Sequence, residues 1–560
     1  MNEPFRTAAI RAEPDGYDIS RPRLMGRHVA GNGFLRAAVK ARGEGPIYGY
    51  TPSRDGAQGF ANLVRQIDPA AETEWIRGDQ LARLSAPGVL YLADATVATF
   101  ARLRQHAGVA AFGLCGVTHT TATDVTMGAI ADLLQVPVAP WDALICTSTA
   151  VAETVRRIHE AEAENLRWRF GSGIRIDPLL QLPVIPLGVD CEAFASTDLD
   201  RASARTSLGI EPDEVVSLFV GRYLFHGKAH PLPMYQALQA TAERTGKRVV
   251  LVMCGWAPNG NIDAAFRSGA AQFAPDVRTI FVDGREADLR TSSWRCADLF
   301  ISLSDGIQET FGLTPIEAMA AGLPVVVSDW NGYRDTVRDG IDGFRVKTWA
   351  PMAGMGGALA RAYEGNSLNY DHYTWAVAAS TSVDVRELTD RLSLLVTDSD
   401  ARRRMGEAGR RRAIEVYDWD VVYRSYVALW GNMNARRLAA LNDPSELAKW
   451  ASAPRSSARR LDPYVAFGHY PTSLIRPTTM LCLTPGATQE GFQALISHGL
   501  FGEMVEVEAV KSLFSRMLQG PTTVADASAA VGNIPATARA AGLLAKMNLM
   551  TLVEPAPASA

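Results

Sequence analysis

Two acidic residues stand eight positions apart in the most informative stretch of the chain. Residues 304–346 read SDGIQETFGLTPIEAMAAGLPVVVSDWNGYRDTVRDGIDGFRV, with Glu309 in a glycine-containing loop and Glu317 on a predicted helix. Carboxylates accept hydrogen bonds from hydroxyl groups and can hold the paired hydroxyls of a sugar or a ribose. Because a bound diphosphate would repel a neighbouring carboxylate, we expect both acids to face sugar hydroxyls rather than phosphates.

The loop that carries Glu309 also predicts a phosphate site. It follows the predicted strand DLFISLS (298–304) and leads into a helix that begins near Leu313, with Pro315 in the first turn, where proline is tolerated. Gly322 ends this predicted helix. The helix N-terminus therefore lies at the carboxyl edge of a parallel strand, where free N–H groups and the helix dipole favour a phosphate.

Two cations follow another predicted strand, VVSLFVG (215–221). Arg222 and Lys228 would lie at the same edge of the sheet as the Glu309 loop. Two positive charges there can neutralise a pyrophosphate, both when it binds and as negative charge grows on it during departure. The alternative interpretation of each cation is a surface ion pair.

The elements that must position these residues indicate two α/β domains. Apolar runs of four to eight residues, without polar alternation and separated by helical patterns, predict parallel strands buried on both faces. We expect two doubly wound, Rossmann-like domains over 25–195 and 196–430, joined by the polar segment 196–214 and facing a ligand cleft. The predicted strands are 46–50, 88–93, 109–120, 142–148 and 182–190 in the first domain, and 215–221, 248–255, 278–284, 298–304, 323–329 and 343–346 in the second.

The ends of the chain have a different composition. Residues 1–24 are polar and contain several prolines, which predicts a poorly ordered lead-in. Residues 431–484 are interpreted as a linker, in which 431–461 carries six Lys/Arg against two acidic residues. Residues 485–560 predict a small, mostly helical unit that resembles a winged helix. Residues 501–560 have four Lys/Arg against five acids, which favours protein contact or plain packing over DNA binding.

Composition and charge exclude several classes of function. The net charge of −4 argues against nucleic acid as a partner. The first 20 residues lack a secretory pattern and no run of 18 uncharged apolar residues occurs, so we expect a cytoplasmic protein. The arginine clusters 402–404 and 410–412 are interpreted as a solvated helix face, with peripheral contact to an anionic membrane as the alternative.

Cysteines and histidines point to no metal. None of the six cysteines lies in a CxxC pair, and several lie in strand-like apolar runs, which favours buried free thiols over disulfides or metal ligands. The nine histidines form no zinc-binding pattern, so no metal site is expected.

The stretch ETFGLTPIE (309–317) resembles the Glu-x7-Glu motif of the family 4 glycosyltransferases, which have the GT-B fold. The resemblance covers about residues 25–430. Further stretches that resemble the family are AMAAGLPVVVSD (318–329), DGIDGFRV (339–346), VIPLGVDCEAF (184–194), VGR…K (220–228), and Asp418 with Trp419.

The resemblance implies a role for each matched residue. Glu309 would hold hydroxyls of the transferred sugar near its reactive carbon, and Glu317 would bind the ribose of the nucleotide. His119 resembles the histidine that reaches the donor sugar, with a structural histidine as the alternative interpretation. The remaining donor-binding candidates are Arg222, Lys228, the backbone N–H groups around Phe311, Gly312 and Leu313, the pair Gly284 and Arg285, and Gly31 and Gly33, which resemble a glycine loop facing the phosphates or else simply start a helix.

Three departures from the family pattern bear on donor choice. The spacing from Arg222 to Lys228 is one residue longer than common, and the loop before Glu309 is also longer. Asn331 with Gly332 replaces a Gly-Gly pair, and Asp335 stands where Glu is common.

The resemblance implies a retaining, metal-independent glycosyltransferase of the hexosyltransferase type, active in carbohydrate biosynthesis without a cofactor. The donor would be a UDP- or GDP-sugar, and the acceptor a glycan, lipid, small molecule or protein. We expect no covalent intermediate on the protein, and closure of the domains about hinges near 190–214 and 418–430. Two alternatives stay open, namely another GT-B enzyme such as a nucleotide-sugar epimerase or sugar phosphorylase, and a non-catalytic sugar-nucleotide-binding scaffold.

Overall fold

The computed structural model describes residues 8–13, 16–20, 26–174, 176, 179–498 and 507–554. The chain divides into two compact units, Met1–Ser457 and Ala458–Ala560. The larger unit holds both predicted α/β domains. Among the described residues, no helix combines the length and the apolar character needed to cross a membrane.

The first domain is built on a six-stranded parallel sheet with the order β3-β2-β1-β4-β5-β6. Its strands are β1 (Ala9–Arg11), β2 (Ile47–Thr51), β3 (Thr73–Arg77), β4 (Val89–Leu92), β5 (Gly113–Val117) and β6 (Ala143–Ile145). Its helices are α1 (Gly26–Ala41), α2 (Arg54–Ile67), α3 (Val97–Arg104), α4 (Asp124–Ala131) and α5 (Thr149–Phe170).

The second domain repeats this plan. Its parallel sheet has the order β12-β11-β10-β7-β8-β9, which is the order of the first sheet when each is numbered from its own first strand. The strands are β7 (Val215–Val220), β8 (Val249–Gly255), β9 (Arg278–Asp283), β10 (Leu299–Ser302), β11 (Val325–Ser328) and β12 (Gly343–Val346). The helices are α6 (Asp198–Ser207), α7 (Leu232–Thr245), α8 (Gly260–Phe273), α9 (Ala287–Cys296), α10 (Leu313–Ala320) and α11 (Tyr333–Thr336). The predicted GT-B fold, two Rossmann-like domains facing a cleft, is confirmed.

A short excursion follows β12. It consists of the antiparallel pair β13 (Thr348–Trp349) and β14 (Ser382–Val383), with α12 (Gly357–Glu364) and α13 (Tyr370–Ala378) between them. It reaches the first domain, where the hydroxyl of Tyr363 accepts a hydrogen bond from the backbone N–H of Asp124 at 3.2 Å. The larger unit then ends with α14 (Val385–Thr397), α15 (Ser399–Arg412), α16 (Trp419–Asn442) and α17 (Pro444–Ala451).

The predicted lead-in over 1–24 is wrong at residues 9–11. These residues form β1, a central strand of the first sheet, and Ala9 and Ile10 are buried. With only three residues, one of them Arg11, this strand carries too short an apolar run to be recognised. Residues 1–7, 14–15 and 21–25 lie outside the described part of the chain.

The predicted linker over 431–484 is wrong at both ends. Helix α16 runs on to Asn442, and α17 packs on the first domain, where the rings of Trp450 and Trp141 lie 5.0 Å apart. Arg437, part of the supposed exposed basic segment, is buried and donates to the carbonyls of residues 110 and 111. Its charge is held by backbone acceptors, which the composition of the segment does not reveal.

The smaller unit contains the predicted helices and terminal strand. These are α20 (Val507–Met517), α21 (Val524–Val531), α22 (Ile534–Lys546) and β17 (Met550–Val553). It also contains α18 (Pro463–Ala466), α19 (Gln489–Ile496) and two strands that were not predicted, β15 (Met480–Leu483) and β16 (Thr522–Thr523). Strand β15 pairs antiparallel with both others, so the sheet begins before the predicted start at 485.

Candidate active site

A cavity of about 1600 Å³ lies between the two α/β domains. One wall comes from α1 and the loop after β5, and the other from the loops after β7, β8, β9 and β10. The floor is formed by the segment near Val189 and by Asp418 and Trp419. The predicted residues that line this cavity are Gly33, His119, Arg222, Lys228, Gly284, Arg285, Glu309, Phe311, Gly312, Leu313 and Glu317.

Glu309 is held as a carboxylate. Lys228 Nζ donates to its Oε2 at 3.1 Å, and the backbone N–H of Thr310 donates to its Oε1 at 3.3 Å. Burial alone would raise the pKa of Glu309, but the charge and hydrogen bond of Lys228, together with the N–H groups of Phe311 and Thr310, keep this pKa below its ordinary value. The carboxylate is therefore ionised and fixed in orientation at neutral pH.

Glu317 is the less stabilised acid of the pair. It lies on α10 and lines the cavity, and its carboxylate makes no hydrogen bond to a described residue. Burial raises its pKa to about 7, against the opposing positive charges of Lys228 and Arg290. A group that donates hydrogen bonds to this carboxylate would lower its pKa and relieve the cost of its burial.

The two predicted cations have different surroundings. Lys228 is paired with Glu309, whereas Arg222 has no hydrogen bond or ion pair with any described residue. Burial lowers the pKa of Arg222, while the nearby Asp371 and Tyr370 act in the opposite direction. Arg222 thus lines the cavity as a partly buried positive charge that has no hydrogen-bond acceptor among the described residues.

The N-terminus of α10 also lies at the cavity, opposite the first described residues of α1. Helix α10 begins after Gly312, whose φ of 95° is in the left-handed region, and a Cβ at this position would lie 2.5 Å from Cδ1 of Tyr333. Helix α1 begins at Gly26, and a Cβ built there lies 3.9 Å from Cδ1 of Leu313 across the cavity. The free N–H groups in the first turn of α10 therefore lie close to Gly26 of α1.

The glycine loop predicted at Gly31 and Gly33 is wrong, because both residues lie inside α1. Gly31 packs against the carbonyl of Gly16, and a Cβ at Gly33 would lie 2.6 Å from Cε2 of Trp419. Both glycines thus serve close packing. Gly26, the first described residue of α1, also lines the cavity, and sequence reasoning missed it.

His119 follows β5 and lies at the carboxyl edge of the first sheet. Burial lowers its pKa to about 4, with the charge of Asp94 opposing this shift. Its imidazole is therefore neutral at physiological pH and has one donor and one acceptor nitrogen. The structure brings His119 to the same cavity as Glu309, as the sequence predicts.

Gly284 and Arg285 follow β9 and line the cavity. Arg285 forms an ion pair with Asp283, in which Nη2 and Oδ2 lie 2.6 Å apart. Sequence reasoning missed Arg290 on α9, which also lines the cavity and donates from Nη1 to the carbonyl of Gly284 at 2.8 Å. Only the tertiary fold brings Arg290 towards Glu317, so no sequence signal identifies it.

The departure at Asn331 and Gly332 braces the Glu309 loop. Asn331 has a φ of 45°, and its Nδ2 donates to the carbonyl of Glu309. The neighbouring Trp330 donates from Nε1 to the carbonyl of Gly306 at 3.0 Å. A Cβ at Gly332 would lie 2.5 Å from Cα of Phe311, so the backbone there must pass close to the loop.

The chain crosses between the domains at two adjacent places. The N–H of Val189 donates to the carbonyl of Tyr417 at 2.8 Å, and the N–H of Trp419 donates back to the carbonyl of Val189 at 3.1 Å. Trp419 also packs against Gly188, where a Cβ would lie 2.5 Å from its Cδ2. This crossing is a narrow pivot between the domains, and the predicted hinge motion stays a prediction.

Within the described part of the chain, no cluster of three or more His, Cys, Asp or Glu side chains is arranged to hold a metal ion. All six cysteines are free thiols, and five of them are buried.

Curated relatives include D-inositol 3-phosphate glycosyltransferases of Segniliparus rotundus, 32% identical over 38% of this chain and 45% of that protein, and of Mycobacterium marinum, 31% identical over 43% and 53%. The chain spans about half the length of these curated relatives.

Similar solved structures have low sequence identity. Anabaena Alr3699/HepE in complex with UDP is 15% identical, with a TM-score of 0.48 over 78% of this chain and 100% of that one. Sucrose-phosphate synthase from Thermosynechococcus elongatus is 17% identical, with a TM-score of 0.46 over 77% and 99%.

The family comparison identifies the second domain. Residues 200–369 match the family model described as glycosyl transferases group 1. This segment contains Arg222, Lys228, Glu309 and Glu317. Residues 200–369 of this chain therefore belong to the glycosyl transferases group 1 family, which confirms the resemblance predicted from residues 309–317.

Proposed function

We propose that this protein is a glycosyltransferase that moves a sugar, with retained configuration, from a nucleoside diphosphate sugar to an acceptor hydroxyl. One observation carries the proposal. A single cavity collects an unpaired arginine, a lysine, two carboxylates and the N-terminus of α10, all from the segment that matches the family model. This combination suits a ligand that has both a pyrophosphate and sugar hydroxyls.

The pyrophosphate is assigned to Arg222, Lys228 and the first turn of α10. Arg222 has lost part of its hydration without gaining a hydrogen bond or ion pair to any described residue, and burial lowers its pKa accordingly. An anionic ligand would supply that partner and regain the interaction energy. The N–H groups after Gly312 provide neutral donors for the same oxygens.

The hydroxyls are assigned to the two acids and His119. Glu317, without a hydrogen bond to a described residue, is placed to accept from the ribose. Glu309, fixed by Lys228 and Thr310, accepts from the transferred sugar, and the neutral imidazole of His119 contacts another of its hydroxyls. Uncharged donors beside the sugar avoid repulsion of positive charge that develops on its ring.

The proposed reaction needs no nucleophile from the protein. The bond from the anomeric carbon to the diphosphate oxygen breaks while the acceptor oxygen bonds to the same face, and the acceptor proton passes to the departing phosphate oxygen. Arg222 and Lys228 stabilise the charge that grows on the diphosphate. Trapping a covalent sugar adduct on Glu309 would refute this scheme.

The proposed acceptor supplies an alcohol hydroxyl. Two similar curated proteins are named as glycosyltransferases of D-inositol 3-phosphate, so that cyclic polyol phosphate is the first acceptor to test. Glycans, lipids and proteins follow in the same panel.

The donor site is tested by thermal shift with UDP, GDP and their sugars. A ligand at one hundred times its dissociation constant stabilises by about 2.7 kcal/mol. We expect one nucleotide class to shift the wild type and to lose most of this shift in Arg222→Ala. The control is Lys247→Ala, which removes an exposed cation outside the cavity and should behave as wild type.

Turnover is then followed as release of nucleoside diphosphate. Release that depends on an added acceptor supports transfer over an epimerase or phosphorylase. Loss of Arg222 should lower the rate on the order of a hundredfold, because each positioned charge is worth roughly 3 kcal/mol of barrier. If no nucleotide shifts the wild type, the proposal fails; nucleotide binding without turnover would favour the scaffold.

A further inference from the structure

Thr310, next to Glu309, has its three polar groups directed to three different places. Its Oγ1 donates to the carbonyl of His119 at 3.2 Å, and its own carbonyl accepts from Ser148 Oγ at 2.7 Å. Its N–H donates to Oε1 of Glu309 at 3.3 Å. The side chain is buried, with 4% of its surface exposed. One residue thus joins the first domain, through two bonds, to the carboxylate of Glu309.

The partner Ser148 is itself held firmly. It is the N-cap of the 22-residue helix α5, and its Oγ accepts from the N–H of Val151 at 3.2 Å. The next residue, Thr149, donates from N and Oγ1 to the two carboxylate oxygens of Asp335 at 2.6 and 2.7 Å. A carboxylate is favoured at a helix N-terminus. The start of α5 therefore contacts the second domain at both Thr310 and Asp335.

These bonds depend on the relative position of the domains. His119, Ser148 and Thr149 belong to the first domain, and Thr310 and Asp335 to the second. Rotation about the crossing at Val189 would separate the partners, and Thr310 would keep only its bond to Glu309. The orientation of that N–H donor is then no longer fixed by the first domain.

We propose that Thr310 is a positioning residue that couples closure of the two domains to the orientation of the Glu309 carboxylate. The inference rests on the proposed function, since it takes Glu309 to contact the transferred sugar. Lys228 and Asn331 hold Glu309 from within the second domain, so neither of these bonds crosses the cleft. Thr310 adds a bond to the carboxylate whose orientation is fixed only when the first domain contacts Thr310.

The variant that tests the coupling is Thr310→Val. It keeps the shape of the side chain and removes the donor to His119. We expect the turnover number to fall about tenfold, the usual effect of losing one hydrogen bond. The dissociation constant of the nucleoside diphosphate should change less than twofold, because its assigned contacts are untouched. Thr310→Ser keeps the hydroxyl and should restore most of the turnover.

A distance measurement tests closure without relying on turnover. Spin labels on Gln58→Cys and Lys247→Cys, which are exposed and lie on different domains, report the separation in the full chain with Cys482→Ser. We expect a narrow distance distribution with Thr310, and a broader one that extends to longer distances in Thr310→Val. The distribution in Thr310→Ser should match that of the chain with Thr310.

Three results would overturn the inference: wild-type turnover in Thr310→Val, parallel loss of nucleotide binding and turnover, or no recovery in Thr310→Ser. If the wild type neither binds nor turns over any nucleotide sugar, the proposed function fails. The distance measurement alone then decides whether Thr310 contributes to domain closure. An unchanged distribution in Thr310→Val then refutes the coupling as well, whereas a broadened one preserves the link between Thr310 and closure.

Discussion

The buried carboxylate of Glu317 lowers the folding stability of the ligand-free protein when it is ionised. Its pKa is raised by burial from an ordinary value of 4.5 to about 7. Between these two pH values the unfolded chain releases the proton while the folded chain keeps it. Stability is therefore lost as pH rises through this window, and the full cost is present above it.

Replacing Glu317→Gln should remove that cost. We expect the variant to be more stable than wild type at pH 8, by on the order of 1–3 kcal/mol, and nearly equal to it at pH 4.5. Thermal unfolding at both pH values measures the difference. Burial also raises the pKa of Asp305 to about 7. Asp305 changes the stability of the wild type and of the variant equally, so its effect cancels in the difference between them.

The control for this prediction is Glu364→Gln, which changes an exposed acid on α12. It should change stability little at either pH. Equal stability of Glu317→Gln and wild type at pH 8 would contradict the prediction. The same variant should bind nucleotide less well, because an amide accepts fewer hydrogen bonds from a ribose than a carboxylate does.

Among the elements, helix α1 packs so closely against Trp419 that glycine is required at position 33. Alanine in place of an interior helical glycine usually stabilises by about 1 kcal/mol. At Gly33 the sign should reverse, because the added methyl would lie 2.6 Å from Cε2 of Trp419, a residue held by the crossing at Val189.

We therefore expect Gly33→Ala to destabilise the protein by about 1–3 kcal/mol, the usual cost of overpacking. Denaturant unfolding measures the change. Gly128→Ala is the matched control, since Gly128 is also helical but has no heavy atom within 4 Å of an added Cβ, and it should be stabilising or neutral. A stabilising Gly33→Ala would show that Trp419 moves freely.

The sequence predicted the second domain better than the first. All six strands of the second sheet were expected, because apolar runs such as 249–255 are buried along their whole length. In the first domain β1 has only three residues, and β3, TEWIR, is a half-buried edge strand with two charged residues, so neither shows the apolar run of a central strand.

The same reasoning found the acids and cations of the cavity but not the contacts between domains. Residues 309–317 form a local pattern, whereas Arg290, Ser148 and Gly26 become neighbours of the site only through the tertiary fold. The predicted segment 182–190 is not a strand of the sheet; isolated bridges at Val184 and Val189 replace it. Its apolar character reflects burial at the crossing.

In the molecule as a whole, the contact of Asp335 with the start of α5 should favour the closed arrangement. Asp335→Asn keeps the size of the side chain but removes the charge that the helix N-terminus stabilises. We expect the free energy that favours the closed arrangement to fall by about 1 kcal/mol. Small-angle scattering of the ligand-free chain should show a larger radius of gyration than in wild type.

A matched control is Asp276→Asn, an exposed acid that contacts Gln239 within the second domain. It should scatter as wild type. Identical scattering of Asp335→Asn and wild type would show that the contact with Thr149 does not contribute to closure.

Helix α16 lies far along the chain, but its residues complete the core of the first domain. Trp419, Tyr426, Trp430 and Met433 pack with Phe34 and Tyr91 in one apolar cluster. The second domain, between Val189 and Tyr417, is therefore synthesised before the first domain can close its core. During synthesis the second domain can fold early, while the first domain keeps apolar surface exposed until α16 packs against it. A chain that stops before Trp419 would leave that surface permanently open, however well its six strands had formed.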